Sequence, residues 1–184
     1  MRYLVITSKD AKDDDVPAVH FGFYEHEAGT LPRLIKQALA EDLHDFGELD
    51  EVTTDDVIED GVVDEADKRL IKRFAQQFLE FNWFSPEPPF DKHMKIFAEE
   101  FDACGVAQTV RLEFFNVTDS LAFSAAYQTN ADGRGMELTI FSDVNGDKQT
   151  NYVDAQLVKG FALQFLSFRW YGAHDHTFCQ LQLL

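Results

Sequence analysis

The sequence predicts an α+β fold of two degenerate repeat halves, in which antiparallel sheet packs against Phe-rich amphipathic helices. Three observations support this prediction. Two similar segments lie 87 residues apart, several short runs have strand character, and 18 of the 184 residues are phenylalanine. Hydrophobic residues make up 45% of the chain, which is typical of a folded protein. A chain of this length is expected to form one domain or two small ones.

The repeat consists of residues 67–84, DKRLIKRFAQQFLEFNWF, and residues 154–171, DAQLVKGFALQFLSFRWY, which are identical at 10 of 18 ungapped positions. Unrelated segments would match at about one position. Because the offset is close to half the chain length, we interpret residues 1–87 and 88–184 as the two halves. They form either two units or one pseudo-symmetric domain. The proline cluster at 85–89 is the natural linker between them.

Both repeated segments are predicted to be helices, because large apolar residues recur in them at helical spacing. These residues are Leu70, Phe74, Phe78 and Phe81 in the first segment, and Leu157, Phe161, Phe165 and Phe168 in the second. An aromatic face this broad is expected to lie in the core. The functional alternative is a small-molecule or enzyme pocket between the two helices.

The other elements follow from periodicity and turn signals. Strands are predicted over residues 2–8, 18–25, 108–117, 121–129 and 136–143, with a closing strand over 177–184. A helix is predicted over 30–43, where Thr30 can cap it and Pro32 suits its first turn. An amphipathic helix is predicted over 91–103. Spacing along the sequence leaves open whether the halves share one sheet.

Negative charge is concentrated in one stretch of the chain. The net charge is −17, yet between Gln37 and Asp67 thirteen acidic residues occur without a single lysine or arginine. The rest of the chain has 33 − 13 = 20 acidic residues against 16 basic ones. Such a stretch is either a solubilising surface or a docking surface for a basic partner. The candidate partner-binding residues are Glu48, Asp50, Glu51, Asp55, Asp56, Glu59 and Asp60.

The loop before the second repeat helix resembles the calcium loop of EF-hand and dockerin motifs. In residues 143–154, oxygen-bearing residues occupy positions 1, 3, 5, 9 and 12. The candidate calcium ligands are Asp143, Asn145, Asp147 and Asp154. Lys148 stands where such loops have glycine, and in the equivalent loop, 56–67, Ile58 stands at a ligand position. Helix capping and a tight turn explain the same residues without a metal, and this is the preferred interpretation.

No catalytic motif is found, so an enzyme is less expected than a binding protein. The N-terminal residues lack the long apolar region of a secretory signal, and no apolar run is long enough to span a membrane. We therefore expect a cytoplasmic protein in which Cys104 and Cys179 are reduced. At −17, direct binding to nucleic acid or anionic membrane is disfavoured. The leading hypothesis is a non-catalytic acidic inhibitor or immunity-type protein that binds a basic protein, with mimicry of nucleic-acid charge as one mode of binding. The alternatives are the calcium-binding protein and the small-molecule binder.

Overall fold

The structure is a computed structural model. It describes residues 1–10, 17–42, 49–79, 81, 93–102, 107–116, 121–128, 143–168 and 171. In chain order the elements are β1 (Arg2–Asp10), β2 (Pro17–Glu25), β3 (Arg33–Glu41), β4 (Glu51–Thr54), α1 (Glu65–Leu79), β5 (His93–Phe101), β6 (Ala107–Phe115), β7 (Leu121–Gln128) and α2 (Tyr152–Phe165). The predicted α+β class with antiparallel sheet is confirmed.

The described strands form one seven-stranded sheet in the order β4-β3-β2-β1-β5-β6-β7. Every described strand pairing is antiparallel. Strand β1, from the first half of the chain, pairs with β5, from the second half. Their register runs from Tyr3 opposite Phe97 to Thr7 opposite His93. Strands from the first and the second half of the chain therefore share a single sheet.

Alternation along the strands separates a buried sheet face from the opposite face, which neither described helix covers and which we call the helix-free face. On β1 and β5, Leu4, Ile6, Met94 and Ile96 are fully buried in the core that also contains the helices' phenylalanines. The intervening residues, such as Val5 and Lys95, are only partly buried. The apolar side chains of one sheet face thus drive its packing against α1 and α2.

Aromatic rings fill the contact between the two helices. The Phe161 ring lies 4.4 Å from Phe74 and 4.9 Å from Phe81, measured between ring centroids. All three residues are fully buried, and burial of each phenylalanine stabilises the fold by roughly 1.5–3 kcal/mol. Gln77 packs on Gly160, where an added Cβ would lie 2.4 Å from Nε2 of Gln77. The two helices are therefore in close contact at this position.

The predicted helix over 30–43 is wrong, because residues 33–41 form strand β3. The segment is rich in helix-forming Leu, Ala, Lys and Gln, but β2 pairs along its length and β4 pairs with its second half. Tertiary pairing therefore overrides local propensity. Thr30 does not cap a helix; its hydroxyl donates to the Glu27 carbonyl within a turn.

The predicted helix over 91–103 is also wrong, because residues 93–101 form the central strand β5. Its apolar residues fit a helical spacing and a strand alternation equally well. Pairing with β1 on one side and β6 on the other decides in favour of the strand.

The predicted strands over 2–8, 18–25, 108–117 and 121–129 are confirmed as β1, β2, β6 and β7. The predicted strand over 177–184, the linker at 85–89 and both cysteines lie outside the described residues. So does the predicted strand over 136–143, apart from Asp143, which is not in a strand. In the part of the chain that is described, neither helix has the length and apolar character to cross a membrane.

Candidate functional site

The acidic stretch forms one edge of the described sheet and the loop that leads from it to α1. Asp50 and Glu51 lie exposed at the start of β4, Asp55 lies exposed just after the strand, and Asp60 lies exposed in the loop. Asp56 is half-buried. We call residues 50–60 the acidic edge. Glu48 lies outside the described residues.

Two carboxylates of the acidic edge hold its backbone in place. One oxygen of Asp55 accepts a hydrogen bond from the backbone N–H of Gln37 at 2.8 Å, which extends the pairing between β3 and the chain beyond β4. Asp56 accepts from the N–H groups of Asp60 and Gly61, at 3.3 and 2.9 Å. Both side chains therefore have structural roles in addition to their charge.

Glu59 is paired with cations of the protein itself. Its carboxylate lies 3.2 Å from Nζ of Lys36 and 4.0 Å from the guanidinium of Arg2. Lys36 also donates to the backbone carbonyl of Asp56. The charge of Glu59 is thus compensated locally by two cations of the described residues.

A groove of about 240 Å³ separates β4 from α1. Its lining consists of Asp50, Glu51, Val52, Glu65, Lys68, Arg69 and Lys72. Glu65 and Lys68 form an ion pair at 3.1 Å across one turn of the helix. The groove therefore has Asp50, Glu51 and Val52 along its sheet side, and Glu65 with three cations along its helix side.

A buried aspartate organises the loop before each helix. In the first loop, Asp67 is fully buried and accepts hydrogen bonds from the N–H groups of Val57, Ile58 and Asp64 at 2.8–3.0 Å. Three backbone donors thus satisfy this carboxylate. Asp64 in turn accepts from the N–H of Ala66 in the first turn of α1.

The second loop makes the same set of hydrogen bonds 87 positions later. Asp154 is buried and accepts from the N–H groups of Val144, Asn145 and Asn151 at 2.8–3.3 Å. Asn151 caps α2, and with Asp154 it completes a capping box. The N–H of Lys148 donates to the Asp143 carboxylate at 2.7 Å, just as the N–H of Gly61 donates to Asp56 in the first loop.

Backbone conformation agrees between the loops as well. Glu59 and Gly146, which are 87 positions apart, have φ angles of 61° and 73°. Gly61 and Lys148, the next such pair, have 90° and 67°. A lysine with positive φ adopts a conformation that glycine takes more readily. The loop geometry is thus retained at Lys148 although the residue that favours it is absent.

The four candidate calcium ligands lie in this second loop, where their oxygens accept from groups of the loop itself. Asp143 accepts from the N–H groups of Asp147 and Lys148, while Asp154 is occupied as described. Asn145 and Asp147 bond to each other. Among the described residues, no group of three or more His, Cys, Asp or Glu side chains is arranged to hold a metal ion. The capping box of α2 is present as predicted.

A row of aromatic and cationic side chains on the helix-free face was not predicted from the sequence. Tyr24, Tyr3, Phe97 and Arg111 are successive partners across four strands. The Tyr3 ring stacks on those of Tyr24 and Phe97 at 5.5 and 5.4 Å, and Arg111 lies 5.0 Å from the Phe97 ring. Burial, and secondarily Tyr24, raises the pKa of the Tyr3 hydroxyl. Period-two alternation in β1 and β5 is the signal that could have identified this row.

Comparison with protein-family models, with curated proteins and with solved structures finds no match to this chain.

Proposed function

We propose that the protein is a non-catalytic acidic binding protein, of inhibitor or immunity type, whose acidic edge engages a basic protein partner. The observation that carries this proposal is the position of Asp50, Glu51, Asp55 and Asp60, which are all exposed and flank one edge strand and its loop. Charges grouped in this way steer an oppositely charged protein and set its orientation. Mimicry of nucleic-acid charge is one form that such recognition takes.

Within the acidic edge, the carboxylates divide into two roles. Glu51 and Asp60 are the proposed partner contacts, since both are exposed and, among the described residues, the only hydrogen bond to either carboxylate is a local one, from Val62 N–H to Asp60. Asp55, Asp56 and Glu59 are the proposed positioning groups, because backbone donors or cations of the protein already engage them.

We further propose that the fold arose by internal duplication of a unit with strands followed by a Phe-rich helix. The hydrogen bonds of Asp67 and Asp154, and the matching φ angles of the two loops, support this origin. So do the fully buried pairs Phe74 and Phe161, and Phe78 and Phe165, at equivalent positions of α1 and α2. Only one copy has the dense acidic edge, which favours a partner that binds one half of the molecule.

The proposed site of action is the cytoplasm, and the proposed partner is a protein rather than nucleic acid or membrane. At a net charge of −17, a phosphate backbone or an anionic lipid surface would be repelled.

The proposal is tested by affinity capture from the native cell with the immobilised full chain. The expected captured protein is basic, and it should elute as the salt concentration rises from about 50 to 300 mM, because salt screens exposed charge pairs. The double variant Glu51→Lys/Asp60→Lys should lose this partner. Both substitutions lie at exposed positions, so circular dichroism should show an unchanged fold.

The matched control is the double variant Glu27→Lys/Asp102→Lys. It changes the net charge by the same four units at exposed positions outside the acidic edge, and it should retain the partner. Capture that survives reversal at Glu51 and Asp60, or that is equally weakened by the control, would contradict a localised acidic site.

The proposed function requires no bound metal. Millimolar calcium is therefore expected to leave the melting temperature unchanged, since a ligand that binds only the folded state would raise it. A calorimetric titration provides the second readout. Heat of binding that disappears in an Asp143→Asn variant would instead favour the calcium-binding alternative.

A further inference from the structure

We propose that the outer side of β4 accepts an extended segment of the partner as an additional strand, and that this segment has a basic residue next to an acidic one. This inference rests on the proposed function, because it assigns how a basic partner engages the acidic edge. Three observations support it: the direction of the β4 backbone groups, a like-charge pair at the sheet edge, and the cations of α1.

The hydrogen-bond pattern identifies which β4 groups face outward. The N–H of Asp55 donates to the Gln37 carbonyl at 3.1 Å, and backbone groups of an antiparallel pair alternate in direction. Glu51 and Thr53 therefore face β3, whereas Val52 and Thr54 direct their backbone groups away from it. Within the described residues, no strand pairs with this outer side. Outward N–H and C=O groups of an edge strand are a template for strand addition.

A pair of like charges lies at this edge. Glu41 of β3 and Glu51 of β4 are direct partners in the register, so their side chains lie side by side on the helix-free face. No cation of the described residues lies within ion-pair distance of either carboxylate. Opposed like charges destabilise a sheet. A lysine or arginine opposite Glu51 in an added strand would lie beside both carboxylates and relieve their repulsion.

The next position of the added strand faces cations instead. Val52 is buried and points to the helix side, so a residue opposite it would extend into the groove lined by Lys68, Arg69 and Lys72. An aspartate or glutamate fits that side. Because successive side chains of a strand point to opposite faces, the basic and acidic residues are neighbours in the partner's sequence. A strand with an acidic residue opposite Glu51 would be repelled, which disfavours partners with that charge order.

The test uses a capped ten-residue peptide of alternating lysine and glutamate, titrated into the isotopically labelled full chain. Its control has the same composition arranged in two blocks. The alternating peptide is expected to slow amide exchange at Val52 and Thr54 by about tenfold, while Thr53, which already faces β3, changes little. Unchanged exchange at millimolar peptide, or equal protection by the block peptide, would overturn the inference.

Variants provide an independent readout. Glu51→Lys is expected to weaken peptide binding about tenfold, whereas Glu27→Lys, with the same charge change at a remote turn, should not. Thr54→Pro removes one outward N–H and should abolish protection; if it unfolds the chain, exchange data and Glu51→Lys still decide. Loss of salt-sensitive partner capture in Glu51→Lys/Asp60→Lys without peptide protection would retain the proposed function and reject strand addition. Protection by the peptide without salt-sensitive capture of a partner would reject the proposed function and retain strand addition at β4.

Discussion

At the scale of single residues, the acidic side chains of this protein have two different roles. Some remain exposed and contribute to the negative potential of the acidic edge. Others, above all Asp67 and Asp154, are buried acceptors for three backbone N–H groups each. An excess of acidic residues therefore does not by itself measure the strength of a docking surface, because part of it is needed to order the loops before the helices.

We predict that Asp67→Asn and Asp154→Asn each destabilise the protein by roughly 2–3 kcal/mol. The amide that replaces one carboxylate oxygen would face a backbone donor, and buried N–H groups would lose a charged acceptor. Urea denaturation measures the change in the free energy of unfolding. The control is Glu65→Gln, which alters an exposed ion pair and should change stability by less than about 0.5 kcal/mol.

Equal losses at both aspartates are expected because both loops have the same hydrogen bonds. A variant at either position with wild-type stability would show that its N–H groups find other acceptors.

We predict that the contribution of Glu25 to the free energy of unfolding depends on pH. Hydrogen bonds from Arg33 and Arg2, at 3.0 and 3.3 Å, lower the pKa of Glu25 below its ordinary value. A depressed pKa in the folded state contributes stability above the unfolded pKa, and this contribution is lost as the pH falls through the folded pKa. The stability difference between wild type and Glu25→Gln should therefore be present at pH 7 and diminish below the ordinary glutamate pKa. Denaturation at a series of pH values measures it, and a difference independent of pH would contradict the assignment.

At the scale of elements, the sequence predicts those whose local pattern has one interpretation. The Phe-rich segments are too long and too regular to be anything but helices, and β1, β2, β6 and β7 alternate clearly. By contrast, β3 and β5 consist of residues that also suit a helix. Their strand conformation is fixed by neighbours on both sides, such as the pairing of β5 with β1 and β6. Non-local pairing of this kind is invisible to local propensity.

In the candidate site, too, features that depend on local sequence could be predicted, whereas features that depend on non-local contacts could not. Its exposed acidic residues and the capping role of Asn151 and Asp154 could be predicted from the sequence, because both depend on residues close together in the chain. The compensation of Glu59 by Lys36 and Arg2 could not, since the three residues meet only through the folded sheet. The like-charge pair of Glu41 and Glu51 depends on the register between β3 and β4 in the same way.

We expect a single substitution in the core contact between α1 and α2 to lower the stability strongly. Phe161→Ala should destabilise the protein by about 3–5 kcal/mol, because this ring contacts Phe74, Phe78 and Phe81 and its removal leaves a cavity among them. Thermal or urea unfolding provides the measurement. Leu163→Ala, at a site that is 43% exposed on the same helix, should cost less than about 1 kcal/mol. Similar losses in both variants would mean that Phe161 is not a central contact.

At the scale of the whole molecule, the two halves of the sequence are joined by their backbones as well as by their side chains. Strands β1 and β5 pair at the middle of the described sheet, and α1 and α2 share one aromatic core. Each half therefore depends on the other to cover a strand edge and apolar surface. Separation would expose the β1 or β5 edge together with the phenylalanines of one helix, and unpaired edges with apolar surface favour aggregation.

We therefore predict that the full chain unfolds in one cooperative transition, whereas residues 1–87 and 88–184 expressed separately do not fold as monomers. Circular dichroism and fluorescence should give coincident unfolding curves for the full chain. Each isolated half should be disordered or self-associated in sedimentation and NMR experiments, because the partner strand that it lacks lies at the centre of the sheet. Mixing the halves should restore native-like spectra if pairing of β1 with β5 is the principal connection. A half that folds alone as a monomer with dispersed NMR signals would show instead that the sheet is two independent units placed side by side.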